Sequence, residues 1–186
     1  MPTSFLKSIF QLLLFRTGPQ DVPYSPQLVR ILVPLAVVAG WIVFSMLLPP
    51  GVAIAMSVVN VLATVLVAEG ILRSRDLAAR SAQTVAALLG TGIVLNLLMA
   101  YPAHVLAPHL TELAKNPELV KTGDLKLPQG AVIAMDVFNI WQFALTAFIY
   151  RHAANVRIFG GIGFALLASL VVLTLVFMVA TLIAPR

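Results

Sequence analysis

Along the chain, apolar residues gather into long runs that charged residues rarely interrupt. A helix needs about twenty apolar residues to cross roughly 30 Å of hydrocarbon. Five runs approach or exceed that length: Ile31 to Leu48, Gly51 to Leu72, Ser81 to Tyr101, Ala131 to Tyr150, and about Phe159 to Ile183. Pro49-Pro50 forces a tight hairpin between the first two, and Pro102 closes the third, because proline lacks the N–H that continues a helix. The predicted fold class is all-α: a polytopic membrane protein with five transmembrane helices in residues 31–186, preceded by a segment of residues 1–30.

A different pattern occupies the N-terminal segment. At about 100° per residue, Leu12, Phe5, Ile9, Leu13, Leu6 and Phe10 fill one arc, and Lys7, Gln11, Ser4 and Ser8 share the opposite side. That pattern predicts an amphipathic helix lying in the membrane interface. The apolar run Ile9 to Phe15 is too short for a signal peptide, and no small-residue cleavage site follows before Arg16. The stretch from Thr17 to Pro26, TGPQDVPYSP, ends the helix with Gly and three prolines.

Composition narrows the class. Apolar residues make up 60% of the 186 and charged residues only 10%, against about 25% charged in an ordinary soluble domain. The absence of cysteine excludes a disulfide-stapled module and thiol chemistry. The net charge of +5 would raise the question of nucleic acid in a soluble protein, but no basic surface with interleaved aromatics is present, so nucleic acid is not an expected partner. Here the cations report orientation. Lys7, Arg16, Arg30, Arg73, Arg75, Arg80, Arg151 and Arg157 fall on one side of the spans, and Lys115, Lys121, Lys126 and Arg186 on the other. By the positive-inside rule the N-terminus is cytoplasmic and the C-terminus outside, as five spans require, with a bacterial inner membrane as the expected location.

The longest connection, Pro102 to Gly130, lies outside in this arrangement. In NPELVK, Asn116 suits an N-cap, Pro117 the first helical position and Glu118 the positive end of the helix dipole. Pro108 likewise opens a second short helix running to Lys115. The loop is read as a lid, a docking surface or a plain connector.

Ionisable groups inside spans are costly and mark candidate sites until a partner explains them. Glu69 precedes Arg73 by four residues near the cytoplasmic end, in the order that favours an interfacial ion pair. Asp136 sits about 7 Å below the outer end of the fourth span, with no basic residue at that depth. Asn139, Gln142 and Thr146 follow it in a polar stripe about 120° wide, which must face protein or water. Depth matching adds Asn96 of the third span and Asn60 of the second, giving a candidate polar network of Asp136, Asn139, Gln142, Asn96 and Asn60. Interhelical hydrogen bonding, a solute path with Asp136 as its titrating element, and a subunit interface all fit it. Small residues spaced by four, Gly161, Ala165 and Ser169 on the fifth span and Ala36 and Gly40 on the first, favour close helix contact. Gly90 and Gly92 form a packing notch or a hinge in the third.

Enzyme constellations are missing: there is no Gly-rich phosphate loop, zinc helix or nucleophile elbow. Glu69 and Asp136 lie near opposite faces and cannot share a proton. His104 and His109 are five residues apart, where two ligands on one helical face stand three or four apart, and His152 reads as an interfacial basic residue. No cofactor and no metal are expected.

The segment NIWQFALTAFIYRHAANVRIFGGIGFALLASLVVL, Asn139 to Leu173, combines an aromatic span with a Trp, a brief basic turn and a small-residue opening of the next span. With the five-span plan, it resembles the Yip1 family of small five-span membrane proteins. The resemblance implies a scaffold or adaptor associated in eukaryotes with small GTPases and membrane trafficking, and it assigns no functional residue. Two expectations follow. The first is a non-enzymatic membrane protein that binds partner membrane proteins or lipids, in the bilayer with other subunits or by self-association; the second is a small transporter or channel, proton-coupled through Asp136.

Overall fold

The computed structural model describes residues 2–116, 118 and 126–183. The elements are α1 (Pro2–Leu13), a one-turn 3-10 helix (Pro19–Asp21), α2 (Pro26–Phe44), α3 (Pro50–Arg73), a second one-turn 3-10 helix (Ala78–Arg80), α4 (Ser81–Lys115), α5 (Gln129–Ala153) and α6 (Ile158–Ile183). Among the described residues there is no strand, and α2 to α6 are each long and apolar enough to cross a membrane. They correspond in order to the five apolar runs.

Their limits follow caps and turns rather than apolarity. Ser25 accepts a hydrogen bond from Leu28 N–H at 3.2 Å and Pro26 takes the first position of α2, so this helix starts ahead of Arg30 and not after it. Pro50 likewise takes the first position of α3, there without a side-chain cap. Three helices end through a non-glycine residue in the left-handed region, Phe15, Asp76 and Asn155 at φ 57°, 58° and 51°. In each, the next N–H returns to a carbonyl five residues back: Arg16 to Gln11, Leu77 to Leu72 and Val156 to Arg151.

The third run corrects the expectation. Pro102 does not close it: α4 continues through both Pro102 and Pro108 to Lys115, and the separate helix expected from Pro108 is its last two turns. A proline removes one backbone hydrogen bond and crowds the preceding turn. Here Pro102, Ala103, Leu106 and Ala107 form one buried face, and burial of that face holds the helix together across the break. Asn116 is the C-cap of α4, and the short helix expected at NPELVK falls largely outside the described residues.

Packing closes a ring in which α2 contacts α4, α4 contacts α5, α5 contacts α6, α6 contacts α3, and α3 returns to α2, with α3 and α4 also touching. Small residues set the spacing at two of these contacts. A Cβ on Gly161 would lie 2.6 Å from Ala147 O and 2.8 Å from Arg151 Cβ, so α6 meets the backbone of α5 directly. At Gly40 of α2 the same space is filled by Ser57 of α3, whose Oγ donates to Val37 O at 2.6 Å. Arg80 Nη1, at the start of α4, donates to Ala153 O at the end of α5. A shallow hollow lined by both Arg30 and Glu69 brings the start of α2 to the end of α3. These contacts gather Arg30, Arg73, Arg80 and Arg151 at one end of the bundle, here the arginine end.

The N-terminal helix is not a separate surface element. Ile9, Leu12 and Leu13 are buried in the common core. A Cβ on Gly90 of α4 would meet Ile9 Cδ1 at 2.6 Å and Phe5 Cζ at 3.1 Å, so Gly90 is the notch that receives α1. Trp141 Nε1 of α5 donates to Leu13 O at 3.0 Å, and Phe15 meets Phe148 edge-on at 5.3 Å. Gln83 Nε2 fastens the following linker by donating to Gln20 O and Val22 O. The apolar arc is thereby divided: Phe5, Ile9, Leu12 and Leu13 face protein, and Leu6 and Phe10 remain exposed.

Candidate functional site

Residues spaced by four on three helices converge on one cavity. Asn60 and Thr64 of α3, Gly92 and Asn96 of α4, and Gln142, Thr146 and Tyr150 of α5 line it, with Ala168 and Ser169 of α6 and Ala36 of α2. Residues four apart share a helix face, which is why the polar side chains arrive together. The cavity volume is about 210 Å³, room for about seven waters at roughly 30 Å³ each. A Cβ on Gly92 would meet nothing within 4 Å.

The lining sets uncharged polar side chains among apolar ones, Val61, Leu88, Leu89, Met99 and Val172. Thr64 Oγ1 donates to Asn60 O and Thr146 Oγ1 to Gln142 O, both at 2.8 Å, so each hydroxyl proton is spent on its own helix and the oxygen stays an acceptor. Gln142 Oε1 is buried without a hydrogen-bond partner among the described residues, although an amide of this kind carries both donors and acceptors. Among the described residues no Asp, Glu, Lys, Arg or His lines the cavity. Its chemistry is hydrogen bonding to neutral groups.

The expected network is thus split. Asn60, Asn96 and Gln142 meet at the cavity, whereas Asp136 and Asn139 lie exposed on the far half of α5. Asn139 Nδ2 donates to Met135 O at 2.9 Å, and Asp136 makes no hydrogen bond or ion pair among the described residues. Angle around the helix is only part of the cause, because Asn139 lies between Thr146 and Tyr150 in projection. Height decides: no residue of α5 from 129 to 141 is buried, while Leu145, Ala147, Ile149, Tyr150 and Ala153 are. Thr64, Tyr150 and Ser169 are polar lining residues that neither the expected network nor the stripe included; Thr64 is visible in the sequence as the i+4 neighbour of Asn60.

The remaining candidates have local explanations. Arg73 Nη2 and Glu69 Oε2 are 2.9 Å apart with the Arg73 side chain 71% exposed, a pair of small energetic weight. His104 is exposed, His109 Nδ1 is 3.3 Å from Val105 O, and His152 Nδ1 is 2.9 Å from Phe148 O. Among the described residues no group of three or more His, Asp or Glu is placed to hold a metal ion.

Comparison with protein-family models, curated proteins and solved structures found no match to this chain.

Proposed function

We propose that this chain is a non-enzymatic integral membrane protein that works by binding other membrane subunits, and that the far half of α5 is the contact surface. One observation carries the reading: Asp136 and Asn139 stand exposed among exposed Ile133, Val137 and Ile140. Lipid offers a carboxylate no partner, and polar groups at such positions are satisfied by another helix. The partner is a second copy or a different subunit presenting hydrogen-bond donors or a cation at that height. An inner-membrane location, a cytoplasmic N-terminus and an outer C-terminus belong to the same proposal, as does a Yip1-like adaptor role. In it α1 sits at the cytoplasmic interface, one apolar side on the bundle and Leu6 and Phe10 in lipid.

The cavity favours a second reading, a small transporter or channel. Asp136 is absent from its lining, so the solute in this version is neutral and polar, and proton coupling through Asp136 has no geometric support.

Particle mass in a mild detergent separates the two. On the binding reading the wild type runs as a complex larger than its 19.9 kDa chain, and the pair Asp136→Leu, Asn139→Leu reduces it to one folded chain. An unchanged complex in that double variant, or solute uptake into proteoliposomes that disappears in Asp136→Asn, contradicts the binding reading.

A further inference from the structure

At the arginine end a hollow of about 470 Å³ is lined by Gln20, Arg80, Gln83, Arg151, His152 and Asn155, with Val156 on its α6 side. It lies between the N-terminal linker, the start of α4 and the end of α5. Arg80 is held in place, since its Nη1 donates to His152 O at 3.5 Å and Ala153 O at 3.3 Å, the last carbonyls of α5. Its Nε and Nη2 make no further hydrogen bond among the described residues, and Arg151 makes none with its side chain. His152 directs Nδ1 to Phe148 O, which leaves Nε2 unbonded. Among the described residues no carboxylate lines the hollow: Asp21, beside Gln20, accepts from Gly18 N–H, and Glu69 pairs with Arg73.

Two guanidinium groups without a counter-charge in one concave site select an anion, and the fork of an arginine suits phosphate. The surroundings select its source. Ile158 and Phe159, two and three residues beyond Val156, are 55% and 83% exposed, and Phe15 is exposed at the other flank, against Phe148. A charged hollow flanked by exposed apolar side chains at the end of membrane-length helices matches an amphiphile. We infer that this hollow binds the phosphate of an anionic lipid headgroup, with the acyl chains lying along Ile158 and Phe159. Basic pockets between helix ends are a recurring form of lipid recognition. The inference uses the membrane reading above but not the α5 contact, which lies at the other half of the bundle; either can fail alone.

The test is native mass spectrometry of the full chain released from bilayers of phosphatidylcholine and phosphatidylglycerol. The wild type is expected to retain phosphatidylglycerol in preference. Arg151→Gln, which keeps the Cβ that packs on Gly161, lowers that retention roughly tenfold. Arg75→Gln removes an exposed cation outside the hollow and leaves retention within about twofold of wild type, since one surface cation acts only through the diffuse field. Equal losses in the two variants overturn the site in favour of diffuse attraction, and equal retention of both lipids overturns it outright. Displacement of the lipid by excess inorganic phosphate overturns the lipid assignment in favour of a free anion.

Discussion

Replacing Gly90 with leucine tests the docking of α1 on the bundle. The new Cβ would stand 2.6 Å from Ile9 Cδ1 and 3.1 Å from Ile9 Cγ1, and the rest of the leucine extends into the volume Ile9 and Phe5 occupy. Those atoms are the ends of flexible side chains, so alanine at this position is tolerated by small shifts, and leucine is not. Expelling Ile9, which is 3% exposed, forfeits about 1.5–3 kcal/mol of burial. Separation also breaks the Trp141–Leu13 hydrogen bond, about 1 kcal/mol, and the Phe15–Phe148 contact, about 0.5–1.5 kcal/mol. A loss of about 3–5.5 kcal/mol shifts the docked population by roughly two to four orders of magnitude. The assay is thiol labelling of a cysteine placed at the fully buried Leu12, in a background that has no other cysteine. Labelling is expected to be slow with the native glycine and in Gly90→Ala, and at least about tenfold faster in Gly90→Leu. Equally fast labelling at positions 12 and 10 with the native glycine in place would refute docking, since Phe10 is 63% exposed.

Two further substitutions probe the bundle. Gly161→Val drives side-chain carbon against Ala147 O, a backbone atom that cannot rotate aside, and should lower stability by about 1–3 kcal/mol in a thermal melt; an unchanged melt would mean that α5 and α6 do not meet there. Gly92→Leu has the opposite expectation, because open space awaits its Cβ and helix propensity favours leucine by up to about 1 kcal/mol. It should raise or preserve the melting temperature while closing the cavity to solute, and a marked fall would show that the space is occupied.

What the sequence disclosed depended on what a single helix can report about itself. Five helices long and apolar enough to cross a membrane were countable because length and polarity are properties of a single segment. The passage of α4 through Pro102 was hidden, since it rests on burial of Pro102, Ala103, Leu106 and Ala107 against other parts of the chain. For α1, an apolar arc reads the same whether lipid or protein covers it, and Gly90, noticed as a notch or hinge, carried no sign of Phe5 and Ile9. In the polar network, depth along each span brought Asn60 and Asn96 to the stripe of α5, and these two line one cavity with Gln142. Depth matching also set Asp136 level with Asn96 and Asn139 level with Asn60, whereas how far burial extends along α5 is set by its neighbours.

The claim that the far half of α5 is a protein contact is tested most directly by cysteine crosslinking in intact membranes. Ile140, 69% exposed beside Asn139, receives the only cysteine, and Leu170 on α6, 63% exposed, serves as a lipid-facing reference. The expected result is a discrete crosslinked species from position 140 that is absent from position 170 and lost when Asp136→Leu is added. Equal reactivity at the two positions, or a species at 140 indifferent to Asp136, would contradict it.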